Sequence, residues 1–291
     1  MTKKEFQKLT QNITLLDGAT GSNLIARGMP RGVCTETWVM EHRDVITSLQ
    51  KEYIDAGTKI LYAPTFGANR MALEGHGLAH RIEELNRTLV GNSKDIAGDR
   101  AFVAGDMTTS GKIISPEDGY TYEMAFNNYQ EQIRFLADAG ADCLVAETMI
   151  NIEETLAAVD AASSVCNLPI MCSMTVEADG SIFSGGNAVE AAMALESAGA
   201  DAVGVNCSVG PDQLVAIVRN IKESVSIPVL VKPNAGMPFI DDLGHAVYNM
   251  DAKTFARHMK VLVENGATLI GGCCGTTPEF IYETAKILNL I

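Results

Sequence analysis

Short apolar runs alternate with longer amphipathic segments along the chain of 291 residues. Most of the short runs are apolar at consecutive positions, which is typical of parallel strands that helices cover on both faces. The longer segments repeat their apolar residues with the period of a helix, as in 44–56, 122–139, 152–165 and 254–264. The predicted strands are 13–16, 59–63, 102–105, 142–146, 170–174, 202–205, 229–231 and 268–271.

A short string with glycine at its third position precedes every second predicted strand. The four strings are 55–58, 138–141, 197–200 and 264–267, and each glycine suits a left-handed helix C-cap. Eight strands with eight following helices predict an α/β fold, a single-domain (β/α)8 TIM barrel over 1–291. An open doubly wound sheet is the alternative, but the recurrence on even-numbered strands favours a closed barrel.

A barrel of this kind places its chemistry at the C-terminal ends of its strands. Polar and thiol side chains follow the apolar strands at these ends, as an active-site mouth requires. They include Asp17, Thr65, Asp106, Glu147, Thr175, Asn206, Cys207, Lys232, Asn234, Cys273 and Cys274.

Composition narrows the class of protein. With 47% hydrophobic residues the chain can bury a large core, and its net charge of −14 argues against nucleic acid as a partner. No apolar run approaches the roughly 18 residues of a membrane span, and the N-terminus lacks the apolar stretch of a signal peptide. We therefore expect a cytoplasmic protein, in which seven cysteines serve as buried thiols, metal ligands or nucleophiles rather than disulfides.

The seven cysteines fall into two groups. Cys143 and Cys172 lie inside strands and Cys166 at a helix end, so we expect inert packing. Cys34 lies in the long loop after the first strand, where it could be exposed and where no partner is predicted.

The other group follows the sixth and eighth strands. Cys207 lies eight residues after Gly199 and Cys274 eight after Gly266, so alternate strands would place their thiols at one height. Glycines 271, 272 and 275 would let the backbone aim Cys273 at the same point. Three converging thiolates suit a catalytic zinc with an open position, although tight packing and a redox-active pair remain alternatives at this stage.

Three segments carry a resemblance to a known family: 15–21 (LLDGATG), 206–208 (NCS) and 271–278 (GGCCGTTP). Together they resemble the homocysteine S-methyltransferase family, over about 14–291. Segments 63–70 and 233–236 are more similar to the homocysteine-binding domain of cobalamin-dependent methionine synthase than to the betaine-using branch.

The resemblance implies a set of site residues. Zn²⁺ would be held by Cys207, Cys273 and Cys274, and the sulfur of L-homocysteine would take the open zinc position. Asp17 and Glu147 would lie near the homocysteine amino group, and Thr65 and Asn234 complete the predicted substrate-binding set. Asn234 is also a candidate oxygen ligand of zinc when substrate is absent. Asp17 has an alternative role, because an acid before a helix can cap it.

The methyl donor is left open by the sequence. The chain stops at Ile291, without room for folate, corrinoid and activation modules. It would therefore be a fragment, work with a methyl-corrinoid protein, which segment 65–70 favours, or use a small donor such as S-methylmethionine or betaine. Trp38 could help form a cage for a cationic donor, but packing is favoured. An alternative of another class is a non-catalytic zinc or thiol sensor on the same scaffold.

Overall fold

Eight parallel strands close into a barrel in the computed structural model, which describes residues 1–115, 117, 119–240 and 246–291. The order around the barrel is β1, β10, β7, β6, β5, β4, β3, β2, and a parallel bridge between Leu16 and Ile60 joins its two ends. The barrel strands are β1 Thr14–Leu15, β2 Ile60–Tyr62, β3 Phe102–Met107, β4 Cys143–Met149, β5 Ile170–Met174, β6 Ala202–Asn206, β7 Val229–Lys232 and β10 Ala267–Ile270. The predicted (β/α)8 barrel is confirmed, and the open sheet is excluded.

A helical layer surrounds the strands. Long helices follow each strand, and short helices precede them in the first two connections. The helices are α1 Lys3–Leu9, α2 Gly21–Ala26, α3 Thr35–Glu41, α4 Arg43–Asp55, α5 Arg70–Glu74, α6 Ile82–Ala97, α7 Tyr122–Asp138, α8 Ile152–Val165, α9 Ala188–Ala198, α10 Val215–Ser224, α11 Ala252–Glu264 and α12 Pro278–Ile287. A hairpin of β8 Pro238–Ile240 and β9 Ala246–Tyr248 lies between β7 and α11.

The predicted elements agree with these bounds within a few residues, and 152–165 and 170–174 agree at both ends. The glycines of the four recurring strings all have positive φ, between 88° and 108°. They end α4, α7, α9 and α11 as left-handed caps, as predicted. The spacing of these caps therefore sets where each following strand starts.

Helix α1 closes the bottom of the barrel and was not predicted. Its Phe6 is fully buried among inward-facing side chains of the strands, such as Ile60, Met171 and Leu230. A capping box between Thr2 and Glu5 starts the helix. Because Phe6 fills the N-terminal end, the interior can open only at the opposite end of the strands.

The loop after β3 is held over that opposite end by the buried carboxylate of Glu154. Glu154 accepts hydrogen bonds from Thr109 Oγ1 at 2.6 Å and the Ser110 backbone N–H at 2.8 Å. The hydroxyls of Tyr129 and Tyr120 lie at 3.0 and 3.2 Å from the same carboxylate. A buried acid with this many donors fixes the loop to the start of α8.

Glu154→Gln is expected to destabilise the protein by about 1–3 kcal/mol. The side-chain NH₂ of glutamine would face N–H and O–H groups that are themselves donors, so at least one hydrogen bond would be lost. Glu153→Gln, one residue earlier and exposed, is the matched control and should change stability by less than about 0.5 kcal/mol. Chemical unfolding of both variants measures the difference. Equal stabilities for the two variants would contradict the anchoring role of Glu154.

No helix in the described part of the chain is both long and apolar enough to cross a bilayer.

Candidate functional site

A cavity of about 410 Å³ opens at the C-terminal ends of the strands. Its deep wall contains two kinds of side chain, a group of thiols and, next to it, a group of acids around one lysine. These deep residues are Asp17, Tyr62, Asp106, Glu147, Cys207, Lys232, Cys273 and Cys274. The outer wall comes from the loops after β1 and β2, including Val33, Glu36 and Phe66. The strand ends therefore meet in one pocket.

The structure brings Cys207, Cys273 and Cys274 together. Their sulfur atoms all lie within 4.8 Å of one another, and the Cys207 and Cys274 sulfurs are 3.5 Å apart. Tetrahedral zinc with Zn–S bonds of about 2.3 Å holds its sulfurs about 3.8 Å apart. The spacing of the three sulfurs therefore suits one zinc ion.

The loops that carry the thiols are pinned to each other through backbone hydrogen bonds. Cys207 leaves β6 with a φ of +49°, which is uncommon outside glycine, and its N–H donates to Lys232 O at 3.1 Å. The Cys273 N–H donates to Pro233 O at 2.7 Å, and Ala235 N–H donates to Cys274 O at 2.9 Å. The loop after β7 thus holds both cysteine loops.

Two of the glycines beside the cysteine pair act in different ways, and only one of them makes the predicted turn. A Cβ on Gly271 would lie 2.5 Å from Asp17 O, so glycine allows close contact between β10 and β1. Gly275 does turn the chain, with a φ of +81°, and the ring of Tyr248 packs against it. Close approach and one left-handed turn together direct both sulfurs into the cavity.

Cys274 is the most acidic thiol of the three. Hydrogen bonds from Cys207 and Cys273 lower the pKa of Cys274, and the Tyr248 hydroxyl acts in the same direction. A thiolate is the form that binds metal. Tyr248 was not predicted as a site residue, because the hairpin that brings it to Cys274 has no sequence signal near the cysteines.

Asn234 lies beside the cysteine loops and is 4% exposed. Its Nδ2 donates to Ser208 O at 3.3 Å, whereas its Oδ1 is buried and has no partner among the described residues. An unpaired buried amide oxygen is costly unless something binds it. The three thiols are ligands that zinc prefers, and the free Asn234 oxygen lies in the loop that holds both cysteine loops.

The acid side of the cavity is organised by Lys232, a strand-end residue that was not predicted as a site residue. Its Nζ lies 2.8 Å from Asp17 Oδ1, 3.8 Å from Glu147 Oε2 and 3.6 Å from the centre of the Tyr62 ring. Burial alone would lower the pKa of Lys232, but Asp17 and Glu147 raise it well above its usual value. Lys232 is thus a buried cation paired mainly with Asp17.

Asp17 does not cap the helix that follows it. Its Oδ2 accepts a hydrogen bond from the Tyr62 backbone N–H at 2.8 Å, and α2 begins at Gly21 without a side-chain cap. The capping alternative is therefore wrong. Asp17 joins β1 to β2 and to Lys232 of β7 instead.

Glu147 and Asp106 lie next to each other at the ends of β4 and β3. The two carboxyl groups lie close enough for their charges to affect each other, and Asn206 Nδ2 lies 3.4 Å from Glu147 Oε2. Burial and then the charge of Glu147 raise the pKa of Asp106 well above its usual value. Beyond Glu147, Thr148 has a φ of +58° at a β-bulge, which turns the strand end toward the cavity.

Thr65 is fully buried and does not line the cavity. Its hydroxyl donates to Asp106 O at 2.8 Å and accepts from the Asp106 N–H at 3.0 Å. Thr65 therefore holds the backbone of Asp106 in place, at the back of the cavity wall.

The remaining cysteines lie outside the cluster. Cys143 and Cys172 are fully buried and Cys166 packs partly against the core, in agreement with inert packing. Cys34 is only 7% exposed, and its thiol donates to Glu36 Oε2 at 3.2 Å, so the expectation that it lacks a partner was wrong. Glu36 also accepts from the Gly67 N–H at 2.7 Å, which ties together the loops after β1 and β2.

Comparison with known proteins places this geometry in context. The chain is 30% identical to methionine synthase of Mycobacterium tuberculosis over 95% of its length, and 30% identical to methionine synthase of Mycobacterium leprae over 96%. It spans about a quarter of the length of these relatives, 25% and 24%.

The solved structures show the same fold. The metallated homocysteine methyltransferase MmuM from Escherichia coli superposes with a TM-score of 0.73 at 22% identity, covering 95% of this chain and 96% of MmuM. A family model described as homocysteine S-methyltransferase matches residues 14–288. This match covers both the cysteine cluster and the acid group, and the chain belongs to the homocysteine S-methyltransferase family.

Proposed function

We propose that this protein transfers a methyl group to the thiol of L-homocysteine, with a zinc ion held by Cys207, Cys273 and Cys274. The observation that carries the proposal is the convergence of three sulfurs on one side of a cavity that stays open toward solvent. A catalytic zinc keeps one position free for substrate, whereas a structural zinc is closed by four protein ligands.

Zinc would supply deprotonation of the substrate thiol, whose pKa of about 8.5 leaves it mostly protonated at neutral pH. The three cysteine thiolates contribute excess negative charge, which keeps electron density on the substrate sulfur. Asn234 Oδ1, buried and unpaired, is the candidate to fill the fourth position before substrate binds. The chain would thus provide three permanent zinc ligands and a fourth that the substrate can replace.

The acids that line the cavity would bind the amino end of homocysteine. Glu147 lines the cavity, and its longer contacts from Asn206 and Lys232 leave acceptor capacity free. Holding the amino acid at one end and the sulfur at the other would orient the sulfur for in-line attack.

For the methyl donor we propose a methyl-corrinoid carried by a partner protein or by another module. Large apolar side chains are exposed on five of the loops that surround the cavity, and we refer to them as the apolar rim. The apolar rim consists of Val33, Phe66, Ile113, Phe183, Met237 and Phe239, of which Phe183 is 77% exposed. Exposed large apolar side chains on loops around one opening make this end of the barrel our candidate docking surface.

A small cationic donor has less support from the cavity. Trp38, the single tryptophan of the chain, is buried and stacks on His42 with ring centres 4.0 Å apart. Tyr62 does line the cavity, but its ring faces Lys232. An aromatic cage for a sulfonium or quaternary ammonium group is therefore not formed by these residues.

X-ray absorption of the zinc-loaded protein tests whether L-homocysteine is the methyl acceptor. Adding L-homocysteine is expected to add one Zn–S contact and remove one Zn–O or Zn–N contact, because the substrate sulfur replaces the fourth donor. An unchanged zinc shell would favour the sensor alternative and overturn the proposed activity.

The donor is tested by methionine formation from methylcobalamin or a methyl-corrinoid protein, S-methylmethionine and betaine in parallel. We expect turnover with the corrinoid donors and little with the two small cations. Charged substitutions in the apolar rim, such as Phe183→Asp, should slow the reaction with a corrinoid protein more than with free methylcobalamin. Preference for S-methylmethionine would overturn the corrinoid assignment and leave the acceptor assignment standing.

A further inference from the structure

We propose that Asn206 sets the distance between the acid group and the cysteine cluster, and that it thereby selects L-homocysteine over L-cysteine, which is one methylene shorter. This inference deepens the proposed function and rests on it. Asn206 is fully buried at the end of β6 and does not line the cavity, so it acts through its neighbours as a positioning residue.

The orientation of the Asn206 amide is fixed by the hydrogen bonds to its oxygen. Oδ1 accepts from the Thr148 backbone N–H at 2.8 Å and from the Ser173 hydroxyl at 2.8 Å. Because a backbone N–H can only donate, the amide oxygen must face Thr148 N, and the NH₂ must point the other way. The NH₂ is therefore directed at Thr148 Oγ1, Glu147 and Cys273.

Asn206 holds the bent end of β4 in place. Its Nδ2 donates to Thr148 Oγ1 at 2.8 Å, so the amide binds both the side chain and the backbone of Thr148. Thr148 has a φ of +58° at the bulge, a conformation that β-branched residues rarely adopt and that persists only where the surroundings enforce it. Thr148 lines the cavity directly after Glu147, so Asn206 decides where this strand end stands.

The same NH₂ group contacts both the acid group and the cysteine cluster. Nδ2 lies 3.4 Å from Glu147 Oε2 and 4.0 Å from Cys273 Sγ. An N–H donor between a carboxylate and a sulfur attracts both, and so favours one spacing of the two. Cys207 follows Asn206 directly in the chain. One amide therefore links the end of β4 to two of the proposed zinc ligands.

This spacing matters because homocysteine would be held at both ends. In the proposed arrangement its sulfur binds zinc and its amino end binds the acids, so the length of the ligand must match the distance between the two. A site of fixed geometry discriminates about 10–200-fold against the loss of one methylene. Without the contacts of Asn206 the end of β4 would be free to shift, and L-cysteine would bind with a smaller penalty.

Calorimetry of the zinc-loaded protein with L-homocysteine and L-cysteine tests this role through the ratio of the two affinities. Asn206→Ala removes all of these side-chain contacts and is expected to lower the preference for L-homocysteine about 5-fold or more. Ser173→Ala removes one donor to Oδ1, leaves Asn206 in place and should lower the ratio about 2-fold. Asn220→Ala, at an exposed position on α10, is the matched control and should leave both affinities unchanged.

Zinc content and thermal stability are measured alongside, because a purely structural role gives a different pattern. Equal weakening of both ligands by Asn206→Ala would show such a role and overturn the inference, as would unchanged affinities or a wild-type protein that binds both thiols equally well. If Asn206→Ala does not fold, Ser173→Ala decides, and an unchanged ratio in that variant overturns the inference. Failure of the wild-type protein to bind either thiol would overturn the proposed function itself, and with it the role of Asn206.

Discussion

Cys207→Ala is expected to lose zinc and, with it, methyl transfer to homocysteine, while the barrel stays folded. Cys207 lies beyond the last residue of β6 and its side chain faces the cavity, so its removal leaves the strand pairing intact. Two remaining thiolates and one amide oxygen cannot complete the site. Removing a residue that only hydrogen-bonds to a metal ligand weakens metal binding about 10–100-fold. Removing a ligand itself should therefore weaken zinc binding more than about 100-fold.

Zinc content after dialysis and the rate of methionine formation measure this effect. Cys166→Ala is the matched control, since Cys166 is also a free, partly exposed thiol but lies at the end of α8, away from the cavity. It should keep one zinc per chain. Retention of stoichiometric zinc by Cys207→Ala would remove Cys207 from the ligand set.

Lys232→Met is expected to destabilise the protein by about 3–5 kcal/mol, the cost of leaving one partner of a buried ion pair uncompensated. The side chains of Lys232 and Asp17 are 3% and 2% exposed, so water screens neither charge. The double variant Asp17→Asn with Lys232→Met removes both charges and should recover part of the lost stability.

Lys94→Met provides the comparison for this experiment. Lys94 pairs with Asp142 at 2.7 Å, but 34% of its side chain is exposed, so the expected loss is only about 0–1 kcal/mol. Urea unfolding of the wild-type protein and these three variants gives the free energies of unfolding. A double variant no more stable than Lys232→Met alone would mean that Lys232 contributes through packing rather than through its charge.

The cysteine cluster could be predicted because its information is local. Strand spacing places Cys207 and Cys274 at the same height, and both occur where a barrel must put its polar residues. Cys34 could not be assigned in this way, since its partner Glu36 lies at the start of α3, where it also accepts a hydrogen bond from Gly67. Tyr248 reaches Cys274 through a hairpin for which the sequence has no periodic signal.

In the acid group, too, the residues could be predicted from the sequence and their contacts could not. Asp17, Asp106, Glu147 and Lys232 could all be named as strand-end residues, but their pairing could not. Asp17 and Lys232 are 215 residues apart in the chain and meet because β1 and β7 flank β10. The structure pairs Lys232 mainly with Asp17, at 2.8 Å, and leaves Glu147 farther from it, at 3.8 Å.

The sequence by itself determined the barrel, its strand ends and the three thiols, because hydrophobic periodicity, glycine caps and residue spacing are properties of short segments. Only the tertiary structure decided the partners within the cavity, because closure of the barrel sets distances between side chains from different strands. Lys232, for example, lies 2.8 Å from Asp17 and 3.8 Å from Glu147, and these distances set how strongly it pairs with each acid. The buried oxygens of Asp106 and Asn234, which have no hydrogen-bond partner in the described part of the chain, follow from that closure.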